Sequence, residues 1–536
     1  MPAVMNRKER RAGQATGTLA PTQKPLTAVQ LARMALAQSA SGDHATALRA
    51  AVHALRLEEN AFTRTSFVEC LRTMQFYEDN DVLRGLLLRT LTEQWARPED
   101  IAAQACDLIK GAGTGLEAMA RDELLRTLLC LMPNQDQALE AALMVARREL
   151  LSRALAGRDT PLDFHAALAR QCFLNEYVLT VSADEARDAE RLRDKVTAAL
   201  ETGAAIAPAE LAALASYEPL RDARLPERSW PDAVTAILIQ QLREPAEEKR
   251  LAATLPALTP VSDAVSKAVQ QQYEENPYPR WVVVGPAWRV HGAAREPGDI
   301  LIAGCGTGRN SIETAQVFPR ARVLAVDLSR ASLGHAARKS AEMNLSNIEY
   351  AQADLLALGG LERRFDLIEA VGVLHHLADP LAGWKVLLSL LKPGGAMKIG
   401  LYSAVARTDL IAARTELKAK GFAPTPDGVR EGRRHLMAQP GFGEVVQRPD
   451  FFSVSAARDL LFHAQETYIA LPQIATFLRQ NELTVVGVDL DAPVLTAYRL
   501  RFPEDVTATD LDNWAMFEAD NPATFEGMIQ FWVRKD

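Results

Sequence analysis

Residues 299–316 read DILIAGCGTGRNSIETAQ, an apolar run that enters glycines at 304, 306 and 308 and then turns helix-compatible. Few architectures use such a join. Glycine has no Cβ, so its backbone can approach a ligand closely. Between a strand and a helix, the loop falls at the carboxyl edge of a parallel sheet, where ligands bind. The helix beyond it offers free N–H groups and a partial positive charge.

The pattern downstream supports a sheet. Apolar runs at 299–305, 322–328, 347–354, 365–373 and 397–403 alternate with helical segments. This βαβα order predicts a parallel sheet covered by helices on both faces. Two later runs, 483–490 and 527–535, bring the expected number of strands to seven. The fold class is therefore α/β, a seven-stranded, mostly parallel, doubly wound sheet, preceded by an all-α domain. LKPGG at 391–395 reads as a turn before the fifth strand.

Upstream the chain is rich in Ala, Leu, Arg and Glu. In DHATALRAAVHALRLEEN, Ala47, Ala51 and Ala54 mark one helix face. The stretch 28–61 resembles one tetratricopeptide-like unit, with no clear second copy at the same period. An ordinary helical bundle reads equally well. Gly111, Gly113 and Gly115 follow a helix-like segment rather than a strand, so they read as a helix–helix loop. The expected organisation is a disordered arm over 1–26, a helical domain over 27–225, a helical connector and lid over 226–290, and an α/β domain over 291–536. An insertion spans about 404–470. In the connector, a helix should stop at Pro245, and Ser262 should cap the next one.

Composition excludes several classes. Net charge is −8, which argues against a general nucleic-acid binder. The five cysteines show neither a disulfide framework nor metal-ligand spacing, so no metal is expected and the compartment reads as reducing. No apolar run approaches the roughly 20 residues of a membrane span. The basic N-terminus lacks the apolar stretch of a secretion signal. The expected address is the cytoplasm.

The glycine loop also selects its ligand. Dinucleotide binders need G-x-G-x-x-G, but position 309 here is Arg, so a nicotinamide oxidoreductase is disfavoured. A nucleoside ligand without pyrophosphate fits better. Asp327 ends the second predicted strand and can accept from both ribose hydroxyls. Asp354 ends the third and can accept from an adenine amino group. Each alone could be a helix cap; together, behind a glycine loop, they point to one crevice.

DILIAGCGTG, VLAVDLS, ADLLAL and FDLIEAVGVLHHLADPLAGWKVLLSLLKPGGAMKIGLYS resemble the successive motifs of class I S-adenosylmethionine-dependent methyltransferases. The resemblance implies S-adenosylmethionine as cofactor and a reversed last hairpin in the sheet. It carries Gly304, Cys305, Gly306 and Gly308 to the methionine and ribose part, Asp327 and Leu328 to the ribose, Asp354 and Leu355 to the adenine, and Val371 to the same crevice. With its helical first half, the chain also resembles bacterial methyltransferases that carry tetratricopeptide-like N-terminal regions.

The sulfonium already activates the methyl group, so positioning is the main task, with a general base where the nucleophile carries a proton. His375 and His376, after the fourth strand, are the catalytic candidates. In QYEENPYPRW, Tyr278 is placed to cover the cofactor and Arg280 to pair with its carboxylate; an extended linker with Trp281 on the sheet is the alternative. His463 and Glu466, at helical spacing on one face, and Tyr402 are substrate candidates. The acceptor, small molecule or protein, is open, and the helical domain could hold it or a protein partner. No Asn-Pro-Pro-Tyr tetrad follows the fourth strand. The competing reading is a non-catalytic S-adenosylmethionine-binding interaction protein.

Overall fold

The computed structural model describes residues 26–76, 78–220, 229–285 and 296–535. The arm expected over 1–26 falls, apart from Leu26, outside the described residues. So do the expected boundaries near 225 and 290. The chain divides into two compact units, Met1–Met74 and Gln75–Asp536. That division differs from the expected helical domain: helices from residue 81 onward belong to the same unit as the sheet.

Among the described residues of the first unit, three helices run Ala28–Ala40, His44–Leu57 and Ala61–Arg72. Thr27 opens the first with a capping box to Gln30, and Asp43 caps the second. Gly42 turns between them at φ +88°. Ala47, Ala51 and Ala54 are fully buried, as the amphipathic face required. This array is a helix–turn–helix with one added helix, and it does not establish a tetratricopeptide repeat.

The second unit carries one seven-stranded sheet of order β3-β2-β1-β4-β5-β7-β6. The strands are β1 Asp299–Ala303, β2 Arg322–Asp327, β3 Ile348–Gln352, β4 Phe365–Val371, β5 Leu391–Leu401, β6 Leu483–Val488 and β7 Ile529–Lys535. The first five pair in parallel, and β7 runs antiparallel to both β5 and β6. All five residues of β1 are buried, as a central strand covered on both faces must be. Leu301 and Ala303 face a core containing Trp384, Phe365 and Phe531; Ile300 and Ile302 face a second one with Leu333, Ala336 and Tyr350.

Three local readings are corrected. LKPGG lies inside β5 rather than before it: Phe365 pairs with Leu391 and Leu367 with Ala396, so the segment loops out of register between them. The helix at 232 does not stop at Pro245. It continues to Thr254 through a π-turn over Ile239–Arg243, which absorbs the missing proline N–H. Helix Ala264–Glu275 is capped by Asp263, whose carboxylate accepts from the N–H groups of Val265 and Ser266, not by Ser262.

The connector is fixed to the sheet by specific contacts. Pro256 and Leu258 exchange backbone hydrogen bonds with Gln352 of β3 at 2.9 Å each. Helix Glu244–Thr254 packs on helix Arg330–Glu342, where Gly334 lies so close that a Cβ would stand 2.5 Å from the Glu248 carbonyl. Glu248 there pairs with Arg338 and His335. The insertion after β5 reaches the helical region: Arg433 pairs with Glu140 at 3.1 Å, both buried. No helix among the described residues is long and apolar enough to cross a membrane.

Candidate functional site

The loop after β1 folds back over the end of β2, where the N–H groups of Gly304 and Cys305 both donate to the Val326 carbonyl at 2.9 and 3.0 Å. All three loop glycines have positive φ. A Cβ on Gly304 would stand 2.3 Å from a Val373 methyl, and one on Gly306 3.0 Å from the Tyr278 carbonyl. Gly308 serves a different contact: its Cβ would meet Ala336 at 2.4 Å, so it lets the following helix close on the sheet.

Below this loop lies a cavity of about 460 Å³. Gly304, Cys305, Gly306, Asp327, Leu328, Asp354, Leu355, Val371, Tyr278, His376 and Tyr402 line it, whereas Gly308, Arg280, His375, His463 and Glu466 do not. Asp327 accepts from the N–H of Gly306 at 2.8 Å and of Ser329 at 2.9 Å. It therefore holds the loop against the end of β2. Burial raises its pKa, and those backbone donors oppose the shift. Asp354 is held between the Thr259 hydroxyl, which accepts its N–H at 2.7 Å, and the N–H of Leu356, which its carboxylate caps. Burial also pushes the Cys305 thiol far up, so it packs as a neutral group.

The tract 276–281 lies against the loop. Trp281 donates to the Thr307 hydroxyl at 3.0 Å, and that hydroxyl donates to the Pro279 carbonyl at 2.6 Å. The Tyr278 hydroxyl donates to Asp450 of the insertion at 2.7 Å. Arg280 turns away from the main cavity: it pairs with Glu176 at 3.2 Å and lines a smaller cavity of about 80 Å³. The expected pairing with a cofactor carboxylate is thus not the contact this arginine makes.

The two adjacent histidines part company. His375 is fully buried, stacks on Tyr402 with centroids 3.7 Å apart, and has no hydrogen-bond partner on either nitrogen. His376 faces the cavity and stacks on His463 at 3.9 Å and 12°. Both Nε2 atoms approach the Tyr273 hydroxyl, at 3.2 and 3.1 Å, and that hydroxyl donates to Asp459 at 2.6 Å. Burial lowers His376 and His463 to about 4, so both are neutral at pH 7. Burial raises Asp459, against the pull of His376 and the Tyr273 hydrogen bond.

The expected common helix face of His463 and Glu466 is not formed. Their helix is Val454–Phe462, His463 ends it, and the chain beyond is extended. Glu466 is instead a buried ion-pair partner of Arg414 that also accepts from the Tyr468 hydroxyl at 2.6 Å. One ligand-type atom from each of His376, Asp459 and His463 lies within 4.8 Å of the others. A metal on His463 Nε2 would need Nδ1 to donate outward. Nδ1 here accepts from the Gln465 N–H at 3.0 Å, so the cluster is arranged for a proton rather than a cation.

The same cavity holds residues that the sequence did not single out: Arg97, Tyr273, Asn310, Glu313, Lys398, Asp459, Met528 and Gln530. Arg97 comes from the helical region and pairs with Glu313, while its neighbour Glu99 takes Arg309 at 2.7 Å. Asp459 stands four residues before His463, a spacing that was readable. Nothing local marks Arg97.

Residues 300–395 match the family described as methyltransferase domain. An uncharacterized protein of Synechococcus sp. is 30% identical over 251 residues, covering 42% of this chain and 60% of that one. A trans-aconitate 2-methyltransferase of Deinococcus radiodurans is 27% identical over 150 residues, covering 27% and 55%. The solved PKMT2 of Rickettsia typhi in complex with AdoHcy is 16% identical, with a TM-score of 0.36 over 50% of this chain and 52% of that one. The chain thus spans 60% and 55% of the two curated relatives. Residues 300–395 thus match a methyltransferase domain, set in a sheet whose last hairpin is reversed, as the resemblance to class I S-adenosylmethionine-dependent methyltransferases implies.

Proposed function

We propose that the protein transfers the methyl group of S-adenosylmethionine to an acceptor bound at the insertion side of the cavity. One observation carries this reading: the glycine loop after β1, Asp327 after β2 and Asp354 after β3 all line a single cavity that also holds His376, Tyr273 and Asp459. Gly304, Cys305 and Gly306 would bound the methionine and ribose part, Asp327 and Leu328 the ribose, Asp354 and Leu355 the adenine. Val371 and Tyr278 would close the crevice. When bound, the cofactor supplies an electrophilic methyl group on sulfur.

The chain's own part is to bind, orient and manage a proton. His376 is the candidate base, because it is neutral and faces the cavity. His375 supports it: the two rings meet edge to face at 4.2 Å, and His375 holds Tyr402. Tyr402 is the acceptor-side contact; His463 and Glu466 act behind that wall. The helical region, which already lends Arg97, is where a protein acceptor or partner would bind. The five cysteines are free, in keeping with a reducing compartment such as the cytoplasm.

Calorimetric titration with S-adenosylmethionine tests the reading. Asp327→Ala should weaken binding by about 1–3 kcal/mol, the usual cost of losing hydrogen bonds to a charged group. An unchanged affinity would refute the role given to Asp327.

A further inference from the structure

The two stacked imidazoles are read by one peptide group in opposite senses. The Gln465 N–H donates to Nδ1 of His463 at 3.0 Å, so the His463 proton sits on Nε2 and points at the Tyr273 oxygen. The Gln465 carbonyl stands 3.3 Å from Nδ1 of His376, so the His376 proton sits on Nδ1. Tyr273 has one proton and gives it to Asp459 at 2.6 Å. Nε2 of His376 and the second lone pair of the Tyr273 oxygen are then 3.2 Å apart with no hydrogen between them, both on the cavity wall. That arrangement is unfavourable until a proton donor arrives.

We propose that the Gln465 peptide, His463, Tyr273 and Asp459 are a positioning unit: they keep Nε2 of His376 unprotonated toward the cavity and hold the imidazolium that forms when it takes the acceptor's proton. The inference rests on the methyl-transfer reading above, and it restricts the acceptor to a hydroxyl, amine or other X–H group. As X bonds to the methyl carbon, the electron pair of the carbon–sulfur bond returns to sulfur. The X–H bond breaks and its proton goes to Nε2. Positive charge thereby moves from sulfur to His376. The imidazolium donates to the Gln465 carbonyl and to the Tyr273 oxygen, so both facing acceptors are satisfied, and the Asp459 carboxylate balances it through the phenol.

The groups around His376 are consistent with this. His375 packs on one side and His463 on the other, with the Tyr273 hydroxyl at Nε2 and Asp459 beyond it. Glu466 adds a second favourable charge. Arg414 neutralises Glu466 and lies near Asp459, and Asp450 completes the acidic set.

Two measurements on the full chain test the proposal. Histidine-selective ¹⁵N spectra at pH 7 should show His463 protonated at Nε2 and His376 at Nδ1; the reverse pattern, or His376 protonated at Nε2, overturns it. Methyl-labelled S-adenosylmethionine with a lysate of the source cell then reads transfer against pH. Asp459→Asn should lower transfer at pH 7 on the order of tenfold to a hundredfold, within the range of general-base effects. The deficit should narrow as pH rises and the acceptor sheds its own proton. Tyr273→Phe should behave alike. A deficit equal at every pH marks a merely structural role and overturns the proposal. Wild-type protein that transfers no label removes the methyl-transfer reading and the base role with it, while the spectra still decide the tautomers.

Discussion

At the residue scale the three loop glycines look equivalent in sequence and are not equivalent in space. A methyl on Gly304 would drive into Val373, which lines the cavity, whereas one on Gly308 would drive into Ala336 on a helix behind it. Both positions also hold positive φ, which an L side chain adopts only at a cost. Gly308→Ala should lower unfolding free energy by roughly 1–3 kcal/mol and weaken S-adenosylmethionine binding far less than Gly304→Ala does. Urea unfolding with calorimetry on both variants checks this, and equal losses of affinity would contradict it. Strand ends, glycines and the acids after them were legible because each is a feature of a short contiguous stretch. The partners of those residues were not. Tyr273 meets His376 and Asp459 across 103 and 186 residues of sequence, a distance over which no local pattern speaks. Helical spacing places Glu466 with His463, yet it is buried, and a buried carboxylate needs the arginine that pairs with it.

At the element scale the errors came from choices that differ by a single residue or a single turn. Ser262 and Asp263 can both cap a helix, and composition cannot choose between neighbours. The fold chooses Asp263, which satisfies two otherwise unpaired N–H groups of the helix that carries Tyr273. Asp263→Ala should therefore cost about 1 kcal/mol of stability, the usual value of a lost cap, and Ser262→Ala should cost nothing measurable. Chemical denaturation of both separates the two assignments. Pro245 is a breaker by local rule, but one π-turn lets the helix pass it and bring Glu248 to Arg338 and His335. LKPGG keeps its glycine-rich looseness, but inside a strand that resumes pairing at Ala396.

At the scale of the whole molecule, the change in composition and the division by contacts fall at different places along the chain. The sequence changes character near 299, where helix gives way to strands. Contacts ignore that change, because Arg97 and Glu99 reach Glu313 and Arg309, and Glu140 reaches Arg433 across the same line. The helical region thus lends Arg97 to the cavity wall and ties itself to the sheet and the insertion through these ion pairs. The physical division is at Met74. Every residue that lines the cavity lies between Arg97 and Gln530, within the second unit. The proposed cofactor site thus lies within that unit. A chain comprising residues 75–536 should bind S-adenosylmethionine within about twofold of the full chain, roughly 0.4 kcal/mol. Cutting at 298 instead, where the sequence pattern changes, should abolish binding, because Arg97, Tyr273 and Tyr278 leave the wall and Gly306 loses the carbonyl it packs on. Calorimetry on the two truncations distinguishes a cavity built by one α/β domain from one built jointly with its helices. If the shorter chain bound as tightly as the longer one, the helices would be dispensable to the site.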